Sequence, residues 1–327
     1  MRPFPSALPS RSGRLLNSRN QQYEAGGARP VTSNVGPTVR RRRLGQELRR
    51  LRQEKGMTAE EVAEELMVSQ SKISRLENGR RSISQRDVRD LCRTYKVEDK
   101  ALVDSLMQMA KESRQQGWWN AFGDVPYSVY IGFETDAASL RVYEPQVLPG
   151  LLQTPDYAEA VISGALPEAP QDQIAQRVQV RLRRQERITD PLAPLRLWAV
   201  VDEAAMRRVV GNSKIMSDQL DYLVRMSHEP HVTVQALPFD MGSHPGMSGQ
   251  FTILEFSDES DTSVVYLEGV TSDLYLEKLS DVQSYSMMYE HLRAQALNAD
   301  QSRQFITEMA QEHARRHQEE GEAAPAD

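Results

Sequence analysis

Apolar residues recur at helical spacing from about residue 40 to residue 112. Five short amphipathic helices account for this pattern, because each presents one apolar stripe and one polar face. Their predicted inward positions are Leu44, Leu48 and Leu51 in the first helix, Val62, Ala63 and Leu66 in the second, Ile73 and Leu76 in the third, Val88, Leu91, Cys92 and Tyr95 in the fourth, and Leu102, Val103, Leu106 and Met109 in the fifth. The pattern predicts a small all-α bundle.

Polar residues mark where these helices begin and end. Thr58 and Glu61 have the spacing of a capping box, and Ser69 and Ser84 stand at the starts of the third and fourth helices. Gly79 follows the third helix, at the position where a helix commonly ends in a glycine. Two helices joined by a short turn within such a bundle predict a helix-turn-helix.

The third helix carries side chains that suit DNA. Gln70, Ser71, Ser74 and Arg75 share one face, and Gln suits adenine while Arg suits guanine, so these four are predicted to read bases. The residues predicted to contact phosphate are Thr58, Ser69, Lys72, Asn78, Arg80, Arg81, Arg41 and Arg43. A solvated helix with a glycine cap is the alternative for the third helix. A solvated charge run is the alternative for residues 40–43.

This segment resembles a known family. The stretch Leu48 to Arg52, the Gly56-Met57-Thr58 turn and the run from Ser69 to Gly79 resemble the Xre (phage-repressor-type) helix-turn-helix, most specifically in the ending Ser-Arg-Leu-Glu-Asn-Gly. The resemblance implies an ion pair between Arg52 and Glu77. Many members have a phosphate-contacting Gln where this chain has Ala59, so no contact is assigned to Ala59.

Charge is divided unevenly along the chain, whose formal net charge is -6. Residues 1–36 carry five Arg and one Glu (+4), residues 37–96 carry 16 basic and nine acidic side chains (+7), and residues 97–327 carry 19 basic and 36 acidic ones (-17). A basic segment on an acidic body is expected when one module binds a polyanion such as double-stranded DNA. The acidic body would repel DNA and restrict contact to the basic face.

Composition places the protein in the cytoplasm, associated with the nucleoid when it is bound to DNA. The single cysteine, Cys92, cannot form an internal disulfide and is expected to be a core residue in a reducing compartment. No apolar run approaches the roughly 20 residues of a membrane span, and no signal peptide is expected. Residues 1–36 are predicted to be a disordered basic tail, either a plain leader or an arm along the DNA backbone.

A second domain is predicted over residues 113–318, after a helix-turn-helix domain of residues 37–112 and before a disordered tail of residues 319–327. Its pattern predicts helices over 134–143, 154–163, 171–188, 202–210, 216–226 and from a capping box at 280–283 to about 318, with strands over 195–201, 231–237, 250–256 and 263–267. This is an α+β domain with a small, mostly antiparallel sheet. Trp118 and Trp119 are interpreted as an anchor of the linker, with stacking on a ligand as the alternative.

The second domain also resembles a known family. The segments that carry the resemblance are Gly117-Trp118-Trp119, the run from Tyr143 to Ala158 with its Pro-Gly-Leu-Leu-Gln-Thr motif, the run from Asp202 to Ala205, and Leu237-Pro238-Phe239. They are similar to the domain of unknown function that follows an Xre helix-turn-helix in many actinobacterial regulators, among them WhiJ-type developmental regulators and antitoxin-like relatives. The resemblance implies transcriptional control, often beside a gene for a small partner protein, and defines no ligand.

No catalytic constellation is found in the sequence, so the chain is not expected to be an enzyme. The Gly-Met-Ser-Gly run at residues 246–249 fails as a nucleophile elbow, because Gln250 stands where the second glycine is required. His228 and His231 have no supporting cluster of Cys or carboxylates, so neither a metal nor a cofactor is predicted.

One long loop is left open between two interpretations. Residues 241–249, with His244, Gly246 and Gly249, form either an effector loop or a plain connection. The whole chain is interpreted as a homodimeric transcription factor whose second domain senses a protein or small molecule. The alternative is an antitoxin that autoregulates its operon with a small protein encoded nearby, and an enzyme with a DNA-binding appendage is less favoured.

Overall fold

The computed structural model describes residues 37–79, 81–115, 117–122, 125, 127–258 and 261–322. The helices are α1 (Pro37–Glu54), α2 (Ala59–Glu65), α3 (Gln70–Glu77), α4 (Gln85–Thr94), α5 (Lys100–Glu112), α6 (Ser128–Asp136), α7 (Pro155–Ala165), α8 (Gln171–Gln185), α9 (Glu203–Arg207), α10 (Ser213–Met226), α11 (Leu279–Gln295) and α12 (Ala299–Glu322). The strands are β1 (Ser139–Glu144), β2 (Arg196–Asp202), β3 (Val232–Leu237), β4 (Phe251–Glu255), β5 (Val264–Leu267) and β6 (Leu274–Leu276). Short 3₁₀ helices lie at Trp118–Phe122, Gly150–Leu152, Phe239–Met241 and Pro245–Ser248.

Helices α1 to α5 enclose one apolar core, as the helical spacing predicts. The predicted inward side chains are buried there, apart from Leu66, Leu102 and Val103, which are half-buried at its margin. Cys92 is among the buried residues, and burial raises the pKa of its thiol to about 11. The thiol therefore stays protonated at neutral pH, as expected of a core residue rather than a reactive one.

The C-terminal domain is built on a six-stranded mixed sheet in the order β3-β2-β1-β4-β5-β6. The pairings β1–β2 and β2–β3 are parallel, whereas β1–β4, β4–β5 and β5–β6 are antiparallel. One face of the sheet packs on α7, α10 and α12, and the other packs on α11. The α+β prediction is therefore confirmed, with three of the five strand pairings antiparallel.

Several boundaries within this domain differ from the prediction. The prediction of a helix over 134–143 was wrong for residues 139–143. Helix α6 ends at Asp136, and residues 139–144 form the central strand β1. The capping box predicted at 280–283 is also absent, because α11 begins at Leu279 with Lys278 as its N-cap and without a side-chain cap. Strand β6 was not predicted. Residues 319–322, predicted as part of a disordered tail, instead belong to α12, which continues to Glu322. The rest of that predicted tail and the tail predicted over residues 1–36 lie outside the described residues.

Helix α1 packs against both domains. It contributes Leu44, Leu48 and Leu51 to the core of the N-terminal bundle, while Val39, near its start, lies in the core of the C-terminal domain. Glycine makes a close approach possible on the bundle side, because a Cβ atom at Gly45 would lie 2.5 Å from the carbonyl oxygen of Glu77. The end of α3 therefore rests directly on the backbone of α1.

We predict that Gly45→Ala destabilises the protein by about 1–3 kcal/mol, because the added methyl group must push α1 and α3 apart. The measurement is urea unfolding followed by circular dichroism. The matched control is Gly164→Ala in α7, where no heavy atom lies within 4 Å of the added Cβ. The control should be neutral or slightly stabilising, since Ala favours a helix over Gly. Equal unfolding midpoints for Gly45→Ala and the wild-type protein would contradict the close contact.

Candidate nucleic-acid interface

The turn between α2 and α3 is held by local caps that the sequence specifies. The Thr58 hydroxyl accepts from the Glu61 backbone N–H, and the Glu61 carboxylate accepts from the Thr58 backbone N–H, which completes the predicted capping box. Ser69 caps α3 by accepting from the Lys72 N–H at 3.2 Å. Met67 takes the left-handed backbone conformation between the helices, with φ of 51°. These caps fix where α3 starts.

Helix α3 is polar on one side and buried on the other. Ile73 and Leu76 are buried in the bundle core, which anchors the back of the helix. The four residues predicted to read bases, Gln70, Ser71, Ser74 and Arg75, are all exposed. The Arg75 guanidinium folds back along its own helix and donates to the Ser71 carbonyl at 3.1 Å and to the Ser71 hydroxyl at 3.3 Å. Both acceptors are exposed, so water can replace them when the guanidinium extends.

The C-terminal end of α3 is fixed by an ion pair. Arg52 of α1 donates through Nε and Nη2 to both carboxylate oxygens of Glu77, at 2.6 and 2.9 Å, and through Nη1 to the Met57 carbonyl. Both side chains of the pair are largely buried. Gly79 then ends the helix with φ of 65°, and the Arg81 N–H donates to the Arg75 carbonyl. The pair therefore ties the end of α3 to α1 at the point where the chain turns away.

The residues predicted to contact phosphate fall into different environments. Thr58, Ser69, Asn78 and Arg81 are exposed, the first two at the N-termini of α2 and α3, where unpaired backbone N–H groups favour anions. Lys72 is half-buried and donates to the Asp87 carboxylate of α4 at 3.0 Å, so it braces α3 against α4. Arg80 lies outside the described residues.

The structure contradicts the predicted phosphate contact of Arg43, whereas that of Arg41 stays a prediction. Arg43 donates through Nε and Nη2 to the buried Asp261 carboxylate, at 2.8 and 2.6 Å, in the C-terminal domain. Arg41 is partly buried, and burial lowers the pKa of its guanidinium. The charge of Arg43 is neutralised inside the protein by Asp261, so this arginine is not available to phosphate. An arginine in the sequence looks the same whether its side chain binds phosphate or a protein carboxylate. The sequence alone therefore could not show that the partner of Arg43 is Asp261.

The loop over residues 241–249 lies on the edge of the sheet where β1 and β2 end. His244 Nε2 is 3.5 Å from the Asp202 carboxylate, and Gly246 is buried so close to Tyr143 that a Cβ would lie 2.5 Å from its ring. Gly249 has φ of 131°, which favours glycine. His244 and Gly246 thus pack at the end of β1 and β2, whereas a Cβ atom at Gly249 would meet no heavy atom of the described residues within 4 Å.

Two other kinds of feature are absent from the described residues. Among them, no group of three or more His, Cys, Asp and Glu side chains is arranged to hold a metal ion. None of the helices in the described ranges is both long enough and apolar enough to cross a membrane.

The geometry of α2 and α3 defines the class of protein. Residues 43–106 match the family model described as a helix-turn-helix domain, and such a domain indicates a DNA-binding regulator of transcription. Residues 127–308, more than half of the chain, match the model described as a domain of unknown function, DUF5753, and the chain belongs to this family. No curated protein and no solved structure matches the chain.

We predict that Arg52→Ala and Glu77→Ala each destabilise the N-terminal bundle by about 1.5–3 kcal/mol, because each leaves a largely buried charge without its partner. A double-mutant cycle measured by urea unfolding should give a coupling energy, since the two changes remove one shared interaction. The matched control is the exposed helical pair of Arg50 and Glu54, for which the coupling should be small. Additive effects of Arg52→Ala and Glu77→Ala would contradict the pair.

Proposed function

We propose that the protein is a sequence-specific transcriptional regulator of the Xre type that binds double-stranded DNA as a homodimer. The observation that carries the proposal is the exposed polar face of α3, with Gln70, Ser71, Ser74 and Arg75, on a helix whose back is anchored in the core. A recognition helix must enter the major groove with its polar side chains free and its orientation fixed. Helix α3 meets both requirements.

The positions of these side chains suggest which of them contact bases and which contact phosphates. Gln70 and Arg75 read base edges, since their side chains suit adenine and guanine. Thr58, Ser69 and Arg81 contact phosphate from the two helix N-termini and from the segment after Gly79, and so set the register of α3 on the duplex. Arg43 has no DNA contact in this proposal, because Asp261 holds it.

We further propose that the C-terminal domain is the regulatory half and has a binding role rather than a catalytic one. The charge of -17 over residues 97–327 opposes contact with phosphate and supports a separate role for this domain. Its resemblance to the domain of WhiJ-type regulators supports control of transcription by an effector, in the cytoplasm. A bound effector must change the affinity for DNA, and DNA must change the affinity for the effector by the same factor.

An antitoxin role uses the same DNA-binding half and differs in its partner. It requires a stable complex between the C-terminal domain and a small protein encoded nearby. Tagged protein purified from its native cells, followed by mass spectrometry, separates the two candidates. A stoichiometric small protein from the same operon supports the antitoxin role, and its absence supports the regulator with another effector.

We predict that Arg75→Ala weakens binding to the preferred duplex by about 1–3 kcal/mol and relaxes the preference at one base pair. The preferred sequence is obtained by selection from a random library with the wild-type protein, and affinities are measured by fluorescence anisotropy at several salt concentrations. Arg81→Ala should instead weaken all sequences alike and reduce the salt slope by about 1.

The matched control for both variants is Arg316→Ala, which removes an exposed arginine from α12 in the C-terminal domain. It should leave affinity and salt slope unchanged. If folded Arg75→Ala retained both the wild-type affinity and the wild-type sequence preference, α3 would not be the reading helix.

We also predict that two copies bind one palindromic duplex, with half-sites about 34 Å apart on one face of the helix. Sedimentation velocity of the protein with a selected duplex should show two chains per duplex. One chain bound to a single half-site at full affinity would contradict the dimer.

A further inference from the structure

A surface cleft of about 470 Å³ lies beside the segment that joins the two domains. Its walls are Trp118 from the 3₁₀ helix after α5, Glu134 and Thr135 from α6, and the end of α8 with the turn that follows. The full lining is Trp118, Glu134, Thr135, Arg183, Arg184, Glu186, Arg187, Thr189, Asp190 and Pro191. Its volume lies in the range of small-molecule sites.

One ion pair in the wall of the cleft is rigid and already satisfied. Arg184 donates through Nε and Nη2 to the two carboxylate oxygens of Glu134, both at 2.7 Å, and both side chains are buried. The Arg184 guanidinium also lies over the rings of Tyr127 and Tyr130. This pair shapes the cleft and does not offer a free charge to a ligand.

Two other arginines of the cleft keep hydrogen-bonding groups that a ligand could use. Among the described residues, Arg183 pairs only with Glu186, three residues further on, and both side chains are more than half exposed, so this pair contributes little and is easily exchanged. Arg187 donates through Nη1 to the Ala193 carbonyl and to the Asp190 carboxylate, the latter at 3.4 Å, and through Nη2 to the Ala137 carbonyl. These contacts hold its guanidinium in place. Its Nε–H has no acceptor among the described residues. In Arg184, the equivalent Nε–H donates to the Glu134 carboxylate.

The apolar side of the cleft is an indole ring. Trp118 packs edge-to-face with Trp119 and Phe122, with ring centroids 5.9 and 6.0 Å apart, and its Nε1 faces the Thr135 hydroxyl at 3.4 Å. These contacts hold the ring at a fixed orientation beside the arginines. A planar ligand that stacks on an indole and carries an acceptor for a guanidinium uses both features.

We propose that this cleft is the effector site of the C-terminal domain and that it binds an aromatic carboxylate. The inference rests on the proposed function and names the chemistry of its effector. The carboxylate pairs with Arg183 and Arg187, and the aromatic ring stacks on Trp118. An amine fits less well for two reasons. The carboxylates that could bind it, Glu186 and Asp190, are already paired with Arg183 and Arg187. The group of Arg187 that lacks a hydrogen-bond partner among the described residues, its Nε–H, is a donor and therefore needs an acceptor from the ligand.

The cleft has a short route to the DNA-binding bundle. Five residues separate the end of α5 from Trp118, so a ligand on the Trp118 ring contacts the segment that leaves the bundle. Helix α6 supplies Glu134 and Thr135 to the cleft, and its Phe133 lies against the Arg42 guanidinium of α1. A Cβ atom at Gly132 of α6 would lie 2.0 Å from the Thr38 hydroxyl oxygen of α1. A shift of α6 on ligand binding is therefore transmitted to α1.

The first test compares three probes of the same shape by isothermal titration calorimetry on the full chain. The probes are naphthalene-2-carboxylate, the neutral naphthalene-2-carboxamide and the cationic 2-naphthylmethylammonium. We expect the carboxylate to bind at one site per chain and more tightly than the other two. Absence of carboxylate binding, equal affinity for the three probes or a preference for the amine would each overturn the proposal.

Variants of the cleft locate the bound probe. Arg183 is exposed, so Arg183→Ala and Arg183→Glu should fold normally and should weaken carboxylate binding by about threefold and about tenfold, since each exposed charge interaction contributes up to about 1 kcal/mol. Arg316→Glu on α12 is the matched control and should leave binding unchanged. Trp118→Ala should abolish binding, whereas Trp118→Phe should retain it in part, which separates loss of the stacking surface from loss of folding. Wild-type binding by Arg183→Glu would place the probe elsewhere and overturn the proposal.

The last readout is DNA affinity with and without the probe. At a concentration of naphthalene-2-carboxylate that just saturates the wild-type protein, we expect the affinity for the selected duplex to change by about fivefold or more. The Arg183→Glu variant should show a smaller change at the same probe concentration, because less of it is occupied. An unchanged affinity despite binding would show that the cleft is not the effector site. Failure of the wild-type protein to bind any selected DNA would instead refute the proposed function, because that measurement needs no probe.

Discussion

The packing of α1 against both domains is the constraint on which the rest of the structure depends. Arg42, near its N-terminal end, donates to Glu277 at 2.7 Å and to the Thr262 carbonyl, and its guanidinium lies over the rings of Phe133 and Phe256. Further along the same helix, Gly45 and Arg52 contact the end of α3. The C-terminal domain therefore holds α1, and α1 holds α3. A movement of α1 relative to the C-terminal domain must also change the position of α3.

The contacts of α1 explain why arginine rather than lysine stands at these positions. A planar guanidinium stacks on aromatic rings and pairs side-on with a carboxylate, whereas an ammonium group does neither as well. Arg42, Arg43 and Arg52 of α1 each use Nε in this way, toward Glu277, Asp261 and Glu77, and Arg184 of α8 does so toward Glu134. Such pairs add little net stability compared with apolar packing, but removal of either partner is costly. Their effect is to fix one arrangement of helices.

The acidic character of the C-terminal domain has two physical consequences. Its overall negative charge opposes contact with phosphate, as proposed for the division of roles between the two domains. Specific acidic side chains, Asp261 and Glu277, also neutralise arginines of α1 at the junction between the domains. The same charge asymmetry therefore supplies the carboxylates that pair with α1 where the two domains meet.

Local physical chemistry determined much of the N-terminal bundle from the sequence alone. Side-chain caps at Thr58, Ser69 and Ser84 act within three residues, so the sequence states where those helices begin, and the 3.6-residue spacing states which side is buried. Strand β1 was missed because both of its faces are buried, which removes the alternation that marks a strand. The partners of Arg42 and Arg43 lie more than 200 residues away along the chain, and only the tertiary structure decided that they are carboxylates of the protein rather than phosphates of DNA. An arginine has the same charge and the same donors in either case, so its partner depends on which acid the fold brings within reach.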